Sequence, residues 1–136
     1  MRCCPKPVSL ARIFAALADN TRLRLLNLMT GREVCVCHFV EILGQSQPKI
    51  SRHLAYLRRA GIAAARREGK WMHYSIRVPA DAAAASILSA TLAALGNNRQ
   101  MRADQRKLDR ACCAPQDLVT PPGAPRPALL APLPVS

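Results

Sequence analysis

The hydrophobic period of this chain changes at Gly61. Before it, apolar residues recur every three or four positions; after it, Met72, Tyr74, Ile76 and Val78 alternate with Trp71, His73, Ser75 and Arg77. The first pattern is that of amphipathic helices, and the second is that of a strand with one apolar face. Leu10, Ile13, Phe14 and Leu17 predict a first helix over about 8–18, which Asp19, Asn20 and Thr21 end while capping the next. Leu25, Leu26, Leu28 and Met29 carry a second helix over about 20–30, stopped by Gly31. A third segment, Cys35 to Leu43, ends at Gly44. A fourth begins near Ser46 with Pro48 in its first turn, where a missing N–H costs nothing. Its core stripe is Ile50, Leu54 and Leu57, and Gly61 closes it after Arg58 and Arg59, two cations at the negative end of the helix dipole. Ile62 to Arg67 reads as a weaker strand, joined to the strong one by a turn at Glu68, Gly69 and Lys70. Asp81 opens an alanine-rich helix with Leu88, Leu92 and Leu95 on one stripe, ended or kinked at Gly96, Asn97 and Asn98.

The expected class is therefore mainly α with a small β-hairpin, in one domain, since 136 residues hold one modest core and not two comfortable ones. The expected division is a flexible, cysteine-containing segment at 1–7, a folded unit at 8–95, an extension at 96–114 and a tail at 115–136. Seven prolines and little charge follow Ala114, a composition that predicts disorder.

Charge narrows the function. The chain carries a net +12, and residues 44–78 alone hold eight of its 20 Lys and Arg against a single acid, Glu68. Basic groups concentrated in this way imply a polyanionic partner, because each neutralised phosphate releases condensed counterions. The uncharged stretch between Asp81 and Arg99 is broken by Gly96, Asn97 and Asn98, so no membrane span is expected. The first apolar segment is interrupted by Arg12 and lacks a convincing cleavage site, so no secretory signal is read and a cytoplasmic protein is expected. In a reducing compartment, the cysteine pairs Cys3 and Cys4, Cys35 and Cys37, and Cys112 and Cys113 suit ligands or sensors better than disulfides.

A helix, a short turn at Gly44, a second helix with a polar outer face and then a basic hairpin is the order of a winged helix-turn-helix. Outside the core stripe, the fourth helix offers Gln47, Lys49, Ser51, Arg52, His53 and Tyr56. Gln, Lys and Arg can address purine edges. Ser46, Ser51 and the helix N-terminus can hold phosphates, and Arg66, Arg67 and Lys70 on the hairpin can grip the backbone beside them. The expected DNA-contacting set is thus Ser46, Gln47, Lys49, Ser51, Arg52, His53, Arg66, Arg67 and Lys70.

The run SQPKISRHLAYLRRAGI from Ser46 to Ile62, followed by GKWMHY from Gly69, resembles the recognition helix and wing of the ArsR/SmtB family of metal-responsive repressors. LADNTRLRLL from Leu17 resembles that family's junction of first and second helices, and the similarity extends over about residues 8–95. By position, Gln47, Ser51 and Arg52 fall where the family contacts bases. The resemblance implies a homodimer built from the first and last helices. A dimer also follows physically, since one short recognition helix buries too little to select an operator, whereas a two-fold pair reads a palindrome in double-stranded DNA.

EVCVCH from Glu33 resembles the ELCVCD motif of the arsenic-responsive branch, with His38 in place of the usual acid and Val40 where some members have a further cysteine. The resemblance makes Cys35 and Cys37 metal ligands, with trivalent arsenic or antimony as inducer. Such ions favour three sulfurs on a pyramidal centre, which leaves Cys3, Cys4, Cys112 and Cys113 as candidates for the third. Residues i and i+2 point about 200° apart on a regular helix, so the sequence predicts that binding unwinds the first turn of the third helix. Ligand and operator then favour different conformations.

Other readings remain open. A zinc or cadmium sensor of the same fold is disfavoured because Asp81 to Leu95 has no histidine and one carboxylate. A thiol-oxidation or persulfide sensor keeps the DNA-binding half and changes the signal. A thiol-rich metal-sequestering protein leaves the basic helix unexplained. An enzyme is not expected, because neither a Cys-x-x-Cys redox motif nor a nucleophile with a general base is visible.

Overall fold

The computed structural model describes residues 9–113. Cys3, Cys4, the segment 1–7 and the tail 115–136 lie outside them. The elements run α1 (Leu10–Leu17), α2 (Asn20–Met29), β1 (Val34–Cys35), α3 (Val36–Leu43), α4 (Gln47–Arg59), β2 (Ala63–Glu68), β3 (Trp71–Ile76), α5 (Ala82–Leu95) and α6 (Arg99–Cys113). This is a mainly helical winged helix-turn-helix, as expected.

Side-chain caps set the helix starts. Ser9, Asp19, Ser46 and Asp81 each accept a hydrogen bond from the backbone N–H three residues on, satisfying a donor that the first turn leaves free. α2 lies at the centre, against α1, α4, α5, α6 and β3. Its C-terminal half, Leu25 to Met29, is buried all round, Asn27 included, as expected of a helix enclosed by neighbours.

Two elements depart from expectation. The wing is not a two-stranded hairpin: β1 adds to its free side, giving the antiparallel order β1-β3-β2. Val34 pairs with Tyr74 and Cys35 with His73, so Cys35 is strand and helix cap, not the first residue of the third helix. A two-residue strand has no period to detect. The apolar face of β3 is also shorter than its alternation suggested, for Tyr74 is buried but Val78, beyond the strand end, is 66% exposed.

The second departure is α6. Residues 96–114 were expected to extend beyond the folded unit, yet Met101, Asp104 and Leu108 are buried and the helix packs on α2 and α3. Gly96 to Asn98 do end α5, but Asn98 Oδ1 then accepts from the Met101 N–H at 3.1 Å and starts the next helix. Arg24 holds Asp104 through Nε at 2.7 Å and Nη2 at 2.9 Å. Among the described residues, no helix is long and apolar enough to cross a membrane.

Candidate thiol site and nucleic-acid interface

The helix-turn-helix is α3, a turn at residues 44–46, and α4. Gly44 ends α3 at φ 68, a left-handed conformation that costs other residues strain. Gln45 Nε2 donates to Thr21 Oγ1 at 3.2 Å and ties the turn to α2. Ile50, Leu54 and Leu57 are buried as the stripe requires, leaving Gln47, Lys49 and Arg52 exposed and Ser51 half-buried. Ser46 is exposed, and its Oγ accepts from the Lys49 N–H at 3.4 Å.

Three of the expected DNA contacts on α4 and the wing, His53, Arg66 and Arg67, are engaged within the protein. His53 Nδ1 lies 3.3 Å from Arg22 Nη1, and burial lowers the affinity of its ring for a proton. Arg22 was not singled out from sequence. Its Nε and Nη2 donate to the Ala16 and Ala15 carbonyls, and its guanidinium lies 4.2 Å over the Tyr56 ring. It therefore joins the end of α1 to the recognition helix, and only the tertiary fold reveals this. Arg66 binds Glu33 in a bidentate pair at 2.9 and 2.6 Å and reaches Glu68 at 3.2 Å. These bonds lower the Glu33 pKa and raise that of Arg66. Arg67 Nε donates to the Gly69 carbonyl at 3.1 Å. Lys70 stands exposed in the tight turn beside Gly69, whose φ is 63.

Cys35 and Cys37 flank the passage from β1 into α3, and their sulfurs are 3.1 Å apart. The expected divergence along a helix does not arise, because Cys35 has extended backbone, φ −74 and ψ 144, and the helix begins at Val36. Unwinding of a first turn is therefore unnecessary to bring the sulfurs together. A bond of about 2.3 Å, as thiolates make to zinc, places two sulfurs roughly 90° apart on a pyramidal centre about 3.3 Å from each other. The observed separation is close to that, and soft sulfurs suit a soft ion.

The hydrogen bond donated by Cys37 lowers the Cys35 thiol to about 6, despite an opposing contribution from burial. The N–H groups of Val36 and Cys37 and the nearby His73 also favour the Cys35 thiolate, as a helix N-terminus does generally. Cys37 is driven strongly upward, by the hydrogen bond to Cys35 and then by burial. Both shifts favour the thiolate on Cys35, with Cys37 keeping its proton as the donor. Among the described residues, no third Cys, His, Asp or Glu completes a cluster around it. His38, one residue on, has both ring nitrogens buried without a partner, and burial lowers its pKa.

The chain is similar to known regulatory proteins. The family model for bacterial regulatory proteins of the arsR family matches residues 19–65. The chain is 47% identical over 78 residues to the arsenical resistance operon repressor of Escherichia coli, covering 57% of this chain and 67% of that protein. It is 38% identical over 109 residues to the arsenic resistance transcriptional regulator ArsR2 of Pseudomonas putida, covering 74% and 95%. Among solved structures, the homodimeric winged helix-turn-helix DNA-binding domain Mb0332 from Mycobacterium bovis superposes with a TM-score of 0.53 at 29% identity, covering 64% of this chain and 78% of that one.

Proposed function

This chain belongs to the ArsR family of bacterial regulatory proteins, and from that premise we propose that it is a cytoplasmic transcriptional repressor. It binds a palindromic operator in double-stranded DNA as a homodimer and lets go when arsenite or antimonite is captured by Cys35 and Cys37. The observation that carries this is the sulfur pair, convergent at 3.1 Å on the segment that enters the helix-turn-helix. Dimerisation is supported by the outer side of α1, where Leu10 is 41% and Phe14 54% exposed, apolar surface of a kind that marks contact sites.

Capture has two physical routes to DNA. α3, whose N-cap is Cys35, packs on the recognition helix α4. β1 pairs with β3, where His73 lies opposite Cys35 on one side and Arg66 on the other. The Glu33–Arg66 pair spans the same sheet from the residues before β1 to the wing. Pulling both sulfurs towards one ion shifts the cap and β1 together, so ligand and operator compete through a shared element. A hundredfold loss of operator affinity corresponds to about 2.7 kcal/mol of coupling.

Operator anisotropy with arsenite, antimonite, zinc, cadmium and peroxide added in turn tests the reading. Arsenite or antimonite should release the wild-type protein, and the Cys35→Ser, Cys37→Ser double variant should bind operator but stay on it. A double variant that dissociates normally with arsenite overturns the proposal. Release by peroxide without metalloid overturns it in favour of thiol oxidation.

A further inference from the structure

Three arginines outside the expected DNA-contacting set share one groove. It lies between the end of α4 and β2, has a volume of about 470 Å³, and is lined by Arg58, Arg59 and Arg77 over a floor of Ala55 and the run Ala63 to Ala65. The path of the chain brings them together. The Ile62 N–H donates to the Leu57 carbonyl at 3.2 Å and the Arg77 N–H to the Ile62 carbonyl at 3.0 Å, which lays the root of β3 against the end of α4. All three arginines are exposed, and no acid pairs with any of them among the described residues. Arg66 and Arg67, nearer the tip of the wing, are by contrast engaged within the protein. Arg59 leans over the Tyr56 ring at 5.9 Å and follows Arg52 by about two turns, or about 10 Å, so both stand on the outer face of α4. Alanine side chains offer no acceptor of their own and let a ligand approach closely. The C-terminal end of α4 by itself repels an anion, so an anion in the groove is held by the arginines.

We propose that this groove seats the phosphodiester backbone of the operator, on the strand that passes between the recognition helix and the wing. This rests on the reading of α4 and the wing turn as operator contacts. With the helix in one groove of the duplex and the wing beside it, the backbone that divides the two runs between α4 and β2. Guanidinium forks match paired phosphate oxygens, and the alanine floor suits the apolar edge of the sugar. The expected contacts lie at Ser46 to His53, in the N-terminal half of α4, and at Arg66 to Lys70, towards the tip of the wing. The groove adds an anchor at the root of the wing. Because it grips phosphate and no base, it fixes register and raises affinity for every DNA sequence.

The test follows full-length, reduced protein on duplex DNA by anisotropy across a range of salt. The triple variant Arg58→Gln, Arg59→Gln, Arg77→Gln should lower the slope of log affinity against log salt by about 0.9 or more, at least one phosphate contact. Between about 50 and 200 mM salt the wild type then loses about 3.5-fold more affinity than the variant for each contact removed. The effect should be the same on the operator and on an unrelated duplex. A charge-matched variant, Arg99→Gln, Arg102→Gln, Arg106→Gln on the exposed face of α6, separates contact from net charge and should leave the slope near that of the wild type. Operators carrying one neutral methylphosphonate locate the contact. At backbone positions facing the groove the wild type should bind several-fold more weakly, and the groove variant should lose nothing further there. Urea midpoints near that of the wild type show that the groove variant is folded, and the methylphosphonate scan on the wild type needs no variant at all. A wild-type slope in the groove variant, an equal slope loss in the α6 variant, or methylphosphonate losses that add to those of the groove variant at every position overturn the proposal. A loss confined to the operator sequence overturns it as well, since the groove would then read bases. Unchanged slopes with operator still bound fail this proposal alone, whereas a wild-type protein that binds no duplex fails the underlying reading and this proposal with it.

Discussion

Arg52 and Arg66 are both exposed cations on the expected DNA face, yet their surroundings separate them. Arg52 is exposed on the outer side of α4 and pairs with no acid among the described residues, whereas Arg66 is matched by Glu33 and Glu68. Arg52→Ala should therefore cost about 1–3 kcal/mol of operator affinity, the worth of a base contact. Lys70→Ala should weaken all DNA sequences alike and lower the slope of log affinity against log salt by about 0.9, one phosphate contact. Arg66→Ala should leave that slope nearly unchanged, because its charge is already compensated. Salt titrations followed by anisotropy check this, and equal slope losses for Arg66→Ala and Lys70→Ala would contradict it. The cysteine pair gives a second prediction. A thiol lowered to about 6 is mostly thiolate at neutral pH, so Cys35 should be alkylated well before Cys37, its rate falling as pH drops through 6. Cys37→Ala removes the donor and should move that midpoint up towards an ordinary thiol, while Cys37→Ser, which keeps a donor, should move it less. Mass-resolved alkylation across pH decides. The identities of these residues were legible in the sequence. The partners of His53 and Arg66 were not, since Arg22 and Glu33 lie 31 and 33 positions away and no local period reports such pairings.

Among the elements, long periodic ones were legible and short or polar ones were not. The α4 stripe and the Asp81 cap follow from spacing alone and stand as expected, and β3 is the strand its alternation announced although its buried face is shorter. β1 escaped because its two residues are defined by pairing with β3. α6 escaped because its stripe places Asp104 between Met101 and Leu108, and a carboxylate reads as surface until Arg24 is known to meet it. The thiol site was misjudged for the same reason as β1: its geometry depends on where α3 starts. The turn at Gly44 tests how strictly this architecture is held. A Cβ there would meet no atom within 4 Å, so the φ of 68 is the whole penalty. Gly44→Ala should destabilise the fold by about 1–2 kcal/mol, and Gly44→Asn should cost less because Asn visits that region more readily. Urea denaturation should show lower midpoints at unchanged m. Equal stability of the Ala variant and wild type would mean that the turn relaxes.

For the molecule as a whole, α2 is the shared wall between the DNA-reading half and the α5–α6 half, and the Arg24–Asp104 pair fastens α6 to it. The two partners are not equivalent. Asp104 is fully buried, while Arg24 keeps 17% of its side chain exposed, and the pair raises the pKa of Arg24 through the hydrogen bond to Asp104. Arg24→Ala leaves a carboxylate enclosed, with Gln100 Nε2 at 3.0 Å as its remaining donor. Breaking a buried pair in this way costs about 3–5 kcal/mol. Asp104→Ala leaves a guanidinium that can turn its tip to water, as long cationic side chains do, so its cost should be clearly smaller. The double variant should fall near Asp104→Ala and not at the sum, because the enclosed charge is gone in both. Since a dimer's stability depends on protomer concentration, all four proteins must be unfolded at one concentration. Arg24→Ala and Asp104→Ala equal within about 0.5 kcal/mol, with additive effects, would show that the pair does not fasten α6 to α2. In that case α6 would owe its place to the buried Met101 and Leu108 and to the hydrogen bonds it makes with Asn27 and Arg32.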